Sequence, residues 1–278
     1  MKKLLLSLLL VASVGMYVHA DSVTGTSDHD TSYHIDIAKG NIGGTSVVHK
    51  YGRNTVLASS MLPVWDGGAT DLTLPSTEAV MTCVSTSDED AAGGDGASKI
   101  TLQGLDDDYN LVSQELTLTG TTPLNTTVKF MRLYRMFVSG LGSGSVFDDT
   151  NEGIIDCDHG TDLMARIVAG AGQTLMAVWT TSANTKSYLT NFSASILPGT
   201  GTTAKTVAIS LHFVGSDGIN RVKHTEGLMT TGSSHVTHNF PVPLQIAEKT
   251  DVHIEAIVDS GTGNDVSASF EVIVVRED

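Results

Sequence analysis

The feature that most limits the folds open to this chain is a repeated alternation of apolar and polar residues over short segments. In the clearest segment, Thr206–Val214, every second residue is apolar: Val207, Ile209, Leu211 and Phe213. Turn-forming residues follow at Gly215-Ser216-Asp217-Gly218. Period-two alternation that ends at glycine and aspartate is typical of half-buried antiparallel strands.

A second set of such segments lies between residues 85 and 138. An acidic, glycine-rich loop over 85–96 comes first, and strands are predicted at 98–103, 111–119 and 129–138. The turns between them contain Gly, Asp, Asn and Pro, which favour tight reversals of the chain. The segment therefore predicts a β-meander, and it contains no catalytic motif.

Strand-like segments also occur elsewhere in the chain. The further predicted strands are 78–84, 173–180, 187–196, 252–258 and 269–275, together with one broken strand or two short ones over 33–51. No segment after the first 20 residues has a sustained apolar stripe at helical spacing. We therefore predict an all-β fold of the antiparallel β-sandwich or jelly-roll type. It would form two packed lobes, 33–145 and 146–278, with a single large sandwich as the alternative.

The N-terminus has a different character. Lys2 and Lys3 precede an apolar run over 4–18, and Val18-His19-Ala20 places small residues before Asp21. This pattern predicts a helical, signal-peptide-like segment, 1–20, cut after Ala20 and followed by a flexible leader, 21–32. The alternative is a retained helix or anchor. The run is too short to favour a spanning helix, so no stable membrane span is expected if the segment is cleaved.

Charge and motifs exclude several classes of function. The net charge of −15 repels phosphate backbones, so nucleic acid is not an expected partner. The segment 199–206 is similar to a phosphate-binding loop, but Ala204 stands where that loop needs glycine. No nucleophile elbow and no zinc-protease motif occurs. We therefore predict no enzyme, no catalytic residue and no cofactor.

Two groups of residues approach a metal-binding pattern without completing it. His235 and His238 lie three apart, with His253 further along, but no cysteine or carboxylate spacing completes a tetrahedral set. The acidic loops at 88–90, 106–108 and 148–149 lack the spacing of a helix-loop-helix calcium site. The favoured interpretation is surface histidines and solvated turns, hence no metal site, with one structural calcium ion as the alternative for the acidic loops.

The chain has two cysteines, Cys83 and Cys157. In an oxidising compartment they could form a disulfide, which would stabilise the fold by about 4 kcal/mol in the chain-entropy model. Two buried thiols are the alternative. The sequence leaves both open because it does not place the sulfur atoms relative to each other.

One predicted strand carries an unusual basic and aromatic pattern. Within 130–137, alternation places Arg132 and Tyr134 on one face and Arg135 on the other. An arginine on each face of a strand in an acidic protein suits a contact between subunits or between lobes. The alternative is that both arginines extend to solvent beside a core strand.

Several motifs in this region occur in the same order in a known family. After the acidic loop come GLDDDY at 104–109, TLTGTTP at 117–123 and FMRLYR at 130–135. Further similar segments are VHKYGRN at 48–54, VWDGG at 64–68, GQTLMAVWTTSANTKSYL at 172–189 and AEKTDVHI at 247–254. Together they resemble a family of virion structural proteins of tailed bacteriophages that is common in marine phages. The family's proline-glycine turn is replaced here by Ser182-Ala183-Asn184.

The resemblance implies a non-enzymatic component of the virion, either a head decoration or a building block of the neck or tail. Such a protein would work through subunit interfaces, as a homo-oligomer and together with other virion proteins. The alternative is an exported bacterial β-sandwich protein, secreted or periplasmic after signal cleavage, that binds glycans or a cell surface.

Overall fold

The computed structural model describes residues 29–147, 149–197, 205–229, 234–259 and 265–277. The predicted segment 1–20 and residues 21–28 of the predicted leader lie outside these ranges. By its internal contacts the chain divides into two units, 1–47 and 48–278. No helix in the described ranges has both the length and the apolar character needed to cross a membrane.

The described part of the first unit contains the helix α1 (His29–Ala38), where the sequence predicted a flexible leader up to 32 and a strand from 33 onward. That strand prediction is wrong up to residue 38. The spacing of Ile35 and Ile37 fits an extended chain, but the Lys39 N–H donates to the Ile35 carbonyl as in an α-helix, and the Asn41 N–H donates to the Asp36 carbonyl across the helix end. Gly40 then ends the helix with a φ of +74°, a conformation that glycine adopts without steric cost.

Strands make up most of the described chain. In order they are β1 (Thr45–Asn54), β2 (Leu62–Pro63), β3 (Ala79–Ser85), β4 (Ala97–Leu105), β5 (Leu111–Thr117), β6 (Leu124–Phe130), β7 (Arg132–Leu141), β8 (Ile155–His159), β9 (Asp162–Ile167), β10 (Val178–Thr180), β11 (Thr185–Leu197), β12 (Thr206–Val214), β13 (Asn220–Met229), β14 (His235–Ile246), β15 (Asp251–Val258) and β16 (Asp265–Arg276). The strand pairs with a described register are antiparallel. The predicted all-β, antiparallel fold class is therefore confirmed.

Two sheets enclose the first hydrophobic core. One has the order β1-β16-β11-β14, and the other has the order β10-β15-β12-β13 with β2 paired to β15. Strand β12 contributes its alternate residues to this core, as its sequence predicts: Val207, Ile209, Leu211 and Phe213. Their neighbours across the ladder include Ile254 of β15, which is also fully buried. Burial of these alternating apolar side chains holds the two sheets together.

Two smaller sheets enclose a second core. Their orders are β6-β3-β8-β9 and β5-β4-β7, and the core contains Ile100, Phe130 and Met136. The predicted strand 129–138 is in fact two strands. It is broken at Met131, whose N–H donates to the Leu105 carbonyl at 2.8 Å, and the chain passes there from β6 in one sheet to β7 in the other.

Both cores take strands from either side of residue 145. The first contains Leu62 and Val64 together with residues of β11 to β16, and the second contains Ile155 and Ile167 together with residues of β3 to β7. The division into lobes 33–145 and 146–278 stays a prediction.

A buried aspartate organises the acidic loop. The side chain of Asp90 is fully buried, and its carboxylate accepts four hydrogen bonds, from the Ser85 hydroxyl and from the backbone N–H groups of Ala97, Glu152 and Gly153. The interpretation of this loop as a solvated turn is therefore wrong at Asp90. Since the donors come from residues far apart in sequence, the carboxylate ties the loop to the segment that precedes β8.

Candidate functional site

Arg132, predicted to make a subunit or lobe contact, lies inside the chain. It is 7% exposed, and its guanidinium donates to both carboxylate oxygens of Asp251, at 2.8 and 3.0 Å. The Thr180 hydroxyl donates to the same carboxylate at 2.6 Å, and Arg132 also donates to the Pro75 carbonyl. Arg132 therefore joins β7 to β15 within one chain. Its buried charge has the paired partner that such a charge needs, so it is not offered to another subunit as a free charge.

Tyr134 and Arg135 have different surroundings. Tyr134 packs against the first core, and burial raises the pKa of its hydroxyl to about 12. The Lys50 ammonium donates to the Tyr134 carbonyl, and burial, with a smaller contribution from Arg135, lowers the pKa of Lys50 to about 7. Arg135 is exposed, with its guanidinium 4.7 Å from the ring centre of Phe137. Of the three predicted contact residues, Arg135 alone offers a charge to solvent.

Cys83 and Cys157 are joined by a disulfide in the structure. They lie directly opposite each other on the paired strands β3 and β8, with their Cα atoms 4.1 Å apart. Both are fully buried in the second core. The bond therefore links two neighbouring strands through the interior of that core.

The histidines singled out in the sequence belong to different places. His235 is exposed on β14, whereas His253 is 4% exposed and His238 is partly exposed. The surface interpretation is therefore wrong for His253. Two residues that the sequence did not single out, His212 and His224, complete two separate clusters of two histidines and one glutamate.

The first cluster consists of His212, His253 and Glu255. His212 on β12 and His253 on β15 are direct partners in the ladder, and their rings stack with centroids 5.1 Å apart. Glu255, two residues after His253, points to the same face because side chains alternate along a strand. Its Oε1 lies 3.2 Å from His253 Nε2, and its Oε2 lies 3.5 Å from His212 Nε2.

The face that carries this cluster is the one turned away from the first core. Leu211 and Ile254 point into the first core, so their neighbours in sequence point to the other side of the sheet. Val178, which is opposite His253 on β10, belongs to the second core. The cluster therefore lies on the side of this sheet that also contains Asp251 and its buried partner Arg132.

Burial and a hydrogen bond shift the pKa values of two members of the cluster, His212 and Glu255. Loss of hydration lowers the pKa of His212, and the hydrogen bond with His253 is the largest cause of a lowered pKa for Glu255. Both directions favour a neutral imidazole beside an ionised carboxylate. Among the described residues, neither His212 Nε2 nor His253 Nδ1 has a hydrogen-bond partner, although both are buried.

The second cluster consists of His224, Glu226 and His238, at the edge where β13 and β14 come together. His224 Nε2 lies 2.7 Å from Glu226 Oε1, and the rings of His224 and His238 have centroids 4.2 Å apart. Phe240 packs edge-on against both imidazoles. These side chains are partly exposed, and none has an unpartnered buried nitrogen in the part of the chain that is described.

A local sequence signal marks both clusters. In each, a histidine and a glutamate are separated by one residue on a strand, at 253–255 and at 224–226. This spacing places both side chains on one face of the strand. The third member of each cluster comes from a neighbouring strand, His212 or His238, and only the strand order brings it close.

Known proteins show only a weak structural similarity to this chain. No protein-family model and no curated protein matches the sequence. Similar solved structures include the VP2 subviral particle of infectious bursal disease virus, with 11% identity over 84% of this chain and 73% of that chain and a TM-score of 0.22. The structure of the Gt strain of the same virus is also similar, with 10% identity over 84% of this chain and 78% of that chain and a TM-score of 0.19. These neighbours are viral capsid proteins, but at such TM-scores the likeness carries no argument about this chain.

Proposed function

We propose that this protein is a non-enzymatic structural component of a bacteriophage particle, as a head decoration or as a building block of the neck or tail. The sequence motifs between residues 48 and 254 support this proposal through their resemblance to virion proteins. The observation that carries it is a pair of long edge strands, β13 and β14, which are exposed along most of their length.

These two strands end the two sheets around the first core. In the described part of the chain, β13 has its register with β12 alone, and β14 with β11 alone. Each therefore presents a row of backbone donors and acceptors along its outer side. Apolar side chains are exposed beside them, with Val222 57% and Val242 80% accessible. Exposed apolar groups along an open edge suit a contact with another subunit.

The two edges would make different kinds of contact. Pro241 and Pro243 lie within β14 and flank Val242, and a proline has no backbone N–H to give to another strand. This part of β14 would therefore meet a neighbouring copy through side chains. Strand β13 contains no proline, so its backbone could pair with a strand of another subunit.

Mass spectrometry of purified particles tests the proposal directly, with the protein expected among the virion components. Its absence from particles, or its recovery in a secreted fraction from cells without particles, would contradict the proposal. Size-exclusion chromatography with light scattering tests the interface. Val242→Asp should shift the purified protein to a smaller assembly, whereas Leu111→Asp, at an exposed position on the edge strand β5 of another sheet, should not.

A further inference from the structure

We infer that His212, His253 and Glu255 form a binding site for one divalent transition-metal ion, with the coordination chemistry of zinc. Nothing in the proposed structural role requires this site, so the inference stands apart from that role. Imidazole nitrogen and carboxylate oxygen are the ligand types that zinc takes in proteins, and two histidines with one glutamate leave a fourth position for water.

The separations between the possible ligand atoms suit such an ion. One atom from each of the three side chains can be chosen so that all lie within 4.8 Å of one another. In particular, the glutamate oxygens lie 3.2 and 3.5 Å from the Nε2 atoms of His253 and His212. With zinc–ligand bonds of about 2.0–2.1 Å, neighbouring ligands of a tetrahedral ion lie about 3.4 Å apart. The two histidine–glutamate separations therefore already suit neighbouring ligands of one ion, and the bonds to the metal would replace the hydrogen bond between His253 and Glu255.

The tautomer of His212 gives an independent indication. Its Nδ1 lies 3.0 Å from the side-chain oxygen of Asn220, which can only accept a hydrogen bond. The proton of a neutral His212 ring is therefore assigned to Nδ1, which leaves the Nε2 lone pair facing the Glu255 carboxylate. A lone pair that faces a carboxylate at 3.5 Å is electrostatically unfavourable, and a cation bound by both groups removes that repulsion. Asn220 would then act as the outer partner that orients a ligating histidine.

Burial strengthens this reasoning. His212 and His253 are each 4% exposed, and within the described residues His212 Nε2 makes no hydrogen bond. A buried polar atom without a partner is destabilising, so it usually has an unseen water or ion as its partner. A bound cation would satisfy this nitrogen and the carboxylate together. The second cluster lacks such an atom in the described residues, which is why the inference is restricted to the first.

The test is zinc binding by the purified full chain after chelator treatment, measured by calorimetry and by metal analysis after dialysis. We expect one Zn²⁺ per chain and a higher midpoint of thermal unfolding with zinc present. Glu255→Gln keeps the shape of the side chain but removes its charge, and it should weaken binding at least tenfold. Glu226→Gln, the same change in the second cluster, is the matched control and should leave binding unchanged.

Other outcomes would refute the site. They are the absence of zinc binding by the folded wild-type chain, binding of undiminished affinity in Glu255→Gln, and binding that is lost in Glu226→Gln. His212→Gln provides a second variant, with circular dichroism as the check on folding. If either variant fails to fold, the visible spectrum of the wild-type chain with Co²⁺ decides the question, because a tetrahedral site gives intense absorption and an absence of this absorption contradicts the proposal.

Discussion

Arg132 and Asp251, 119 positions apart in sequence, form a buried bidentate ion pair. The Nε and Nη2 groups of the guanidinium donate to the two oxygens of the carboxylate, Nη1 donates to the Pro75 carbonyl, and the Thr180 hydroxyl donates to the same carboxylate. Such a pair adds little net stability compared with a well-packed apolar substitute, but losing one partner leaves the other charge buried alone.

Asp251→Ala should therefore lower the free energy of unfolding by about 3–5 kcal/mol. Chemical unfolding followed by circular dichroism would measure the loss. The matched control is Asp217→Ala, which removes the partner of Arg221 from an exposed ion pair and should have little effect because water solvates both charges. Equal losses in the two variants would show that burial of the pair is not what matters.

The disulfide between Cys83 and Cys157 closes a loop with a sequence separation of 74. Replacing both cysteines with alanine should lower the free energy of unfolding by about 4 kcal/mol, because the unfolded chain gains the freedom that the loop removes. Urea unfolding with and without a reductant provides the measurement. Wild-type protein that is fully reduced should behave like the double variant, and an unchanged midpoint after confirmed reduction would contradict the prediction.

Lys50 should make stability depend on pH. Burial lowers its pKa to about 7 in the folded chain, against about 10.5 in the unfolded chain, so between these values the unfolded chain binds more protons. The contribution of Lys50 to stability therefore rises from about pH 7 toward pH 10. Thermal unfolding at pH 7 and pH 9.5 would detect the rise, and Lys50→Met should abolish it and raise stability at pH 7.

The control for this prediction is Lys129→Met, since the Lys129 ammonium is exposed beside Glu78. This variant should keep the pH dependence of the wild-type chain. Tyr134 acts in the opposite direction, because its raised pKa removes stability as the pH passes from about 10 to about 12. Measurements below pH 10 therefore isolate the lysine. A Lys50→Met variant with the wild-type slope would refute the assignment.

Gly104 in β4 is a position where a methyl group has no space. A Cβ there would lie 1.9 Å from the Arg132 carbonyl oxygen, which belongs to the backbone of β7 and cannot rotate away. Gly104→Ala should lower the free energy of unfolding by roughly 1–3 kcal/mol or more, as overpacking does. Gly227→Ala in β13, where a Cβ meets nothing within 4 Å, should be close to neutral. Similar midpoints for the two variants would contradict this reading of the packing.

Local patterns in the sequence were sufficient for some elements and not for others. The strand Thr206–Val214 was predicted with its bounds because one of its faces is uniformly apolar. Strands β13 and β14 were missed, since exposed edges need no apolar face and β14 contains two prolines. The helix His29–Ala38 was missed because its isoleucines are spaced as in a strand.

The sites depend on contacts that no local pattern contains. The proximity of His212 to His253 follows from the register of β12 against β15, and the pairing of Arg132 with Asp251 joins two cores. In each site the sequence singled out one member, His253 or Arg132, but not the partner on another strand. The contact role of Arg135 stays a prediction.

The buried carboxylate of Asp90 has a practical consequence for display of foreign peptides on this protein. The acidic, glycine-rich loop has the composition of a segment that tolerates insertions. Lengthening it would, however, displace the Asp90 carboxylate from the four hydrogen-bond donors that it binds. The reversal between β8 and β9 is the better graft position, because a Cβ at Gly160 would meet nothing within 4 Å and His159 and Asp162 on either side of the turn are direct partners in the ladder. An epitope placed there would project outward while the loop around Asp90 stays intact.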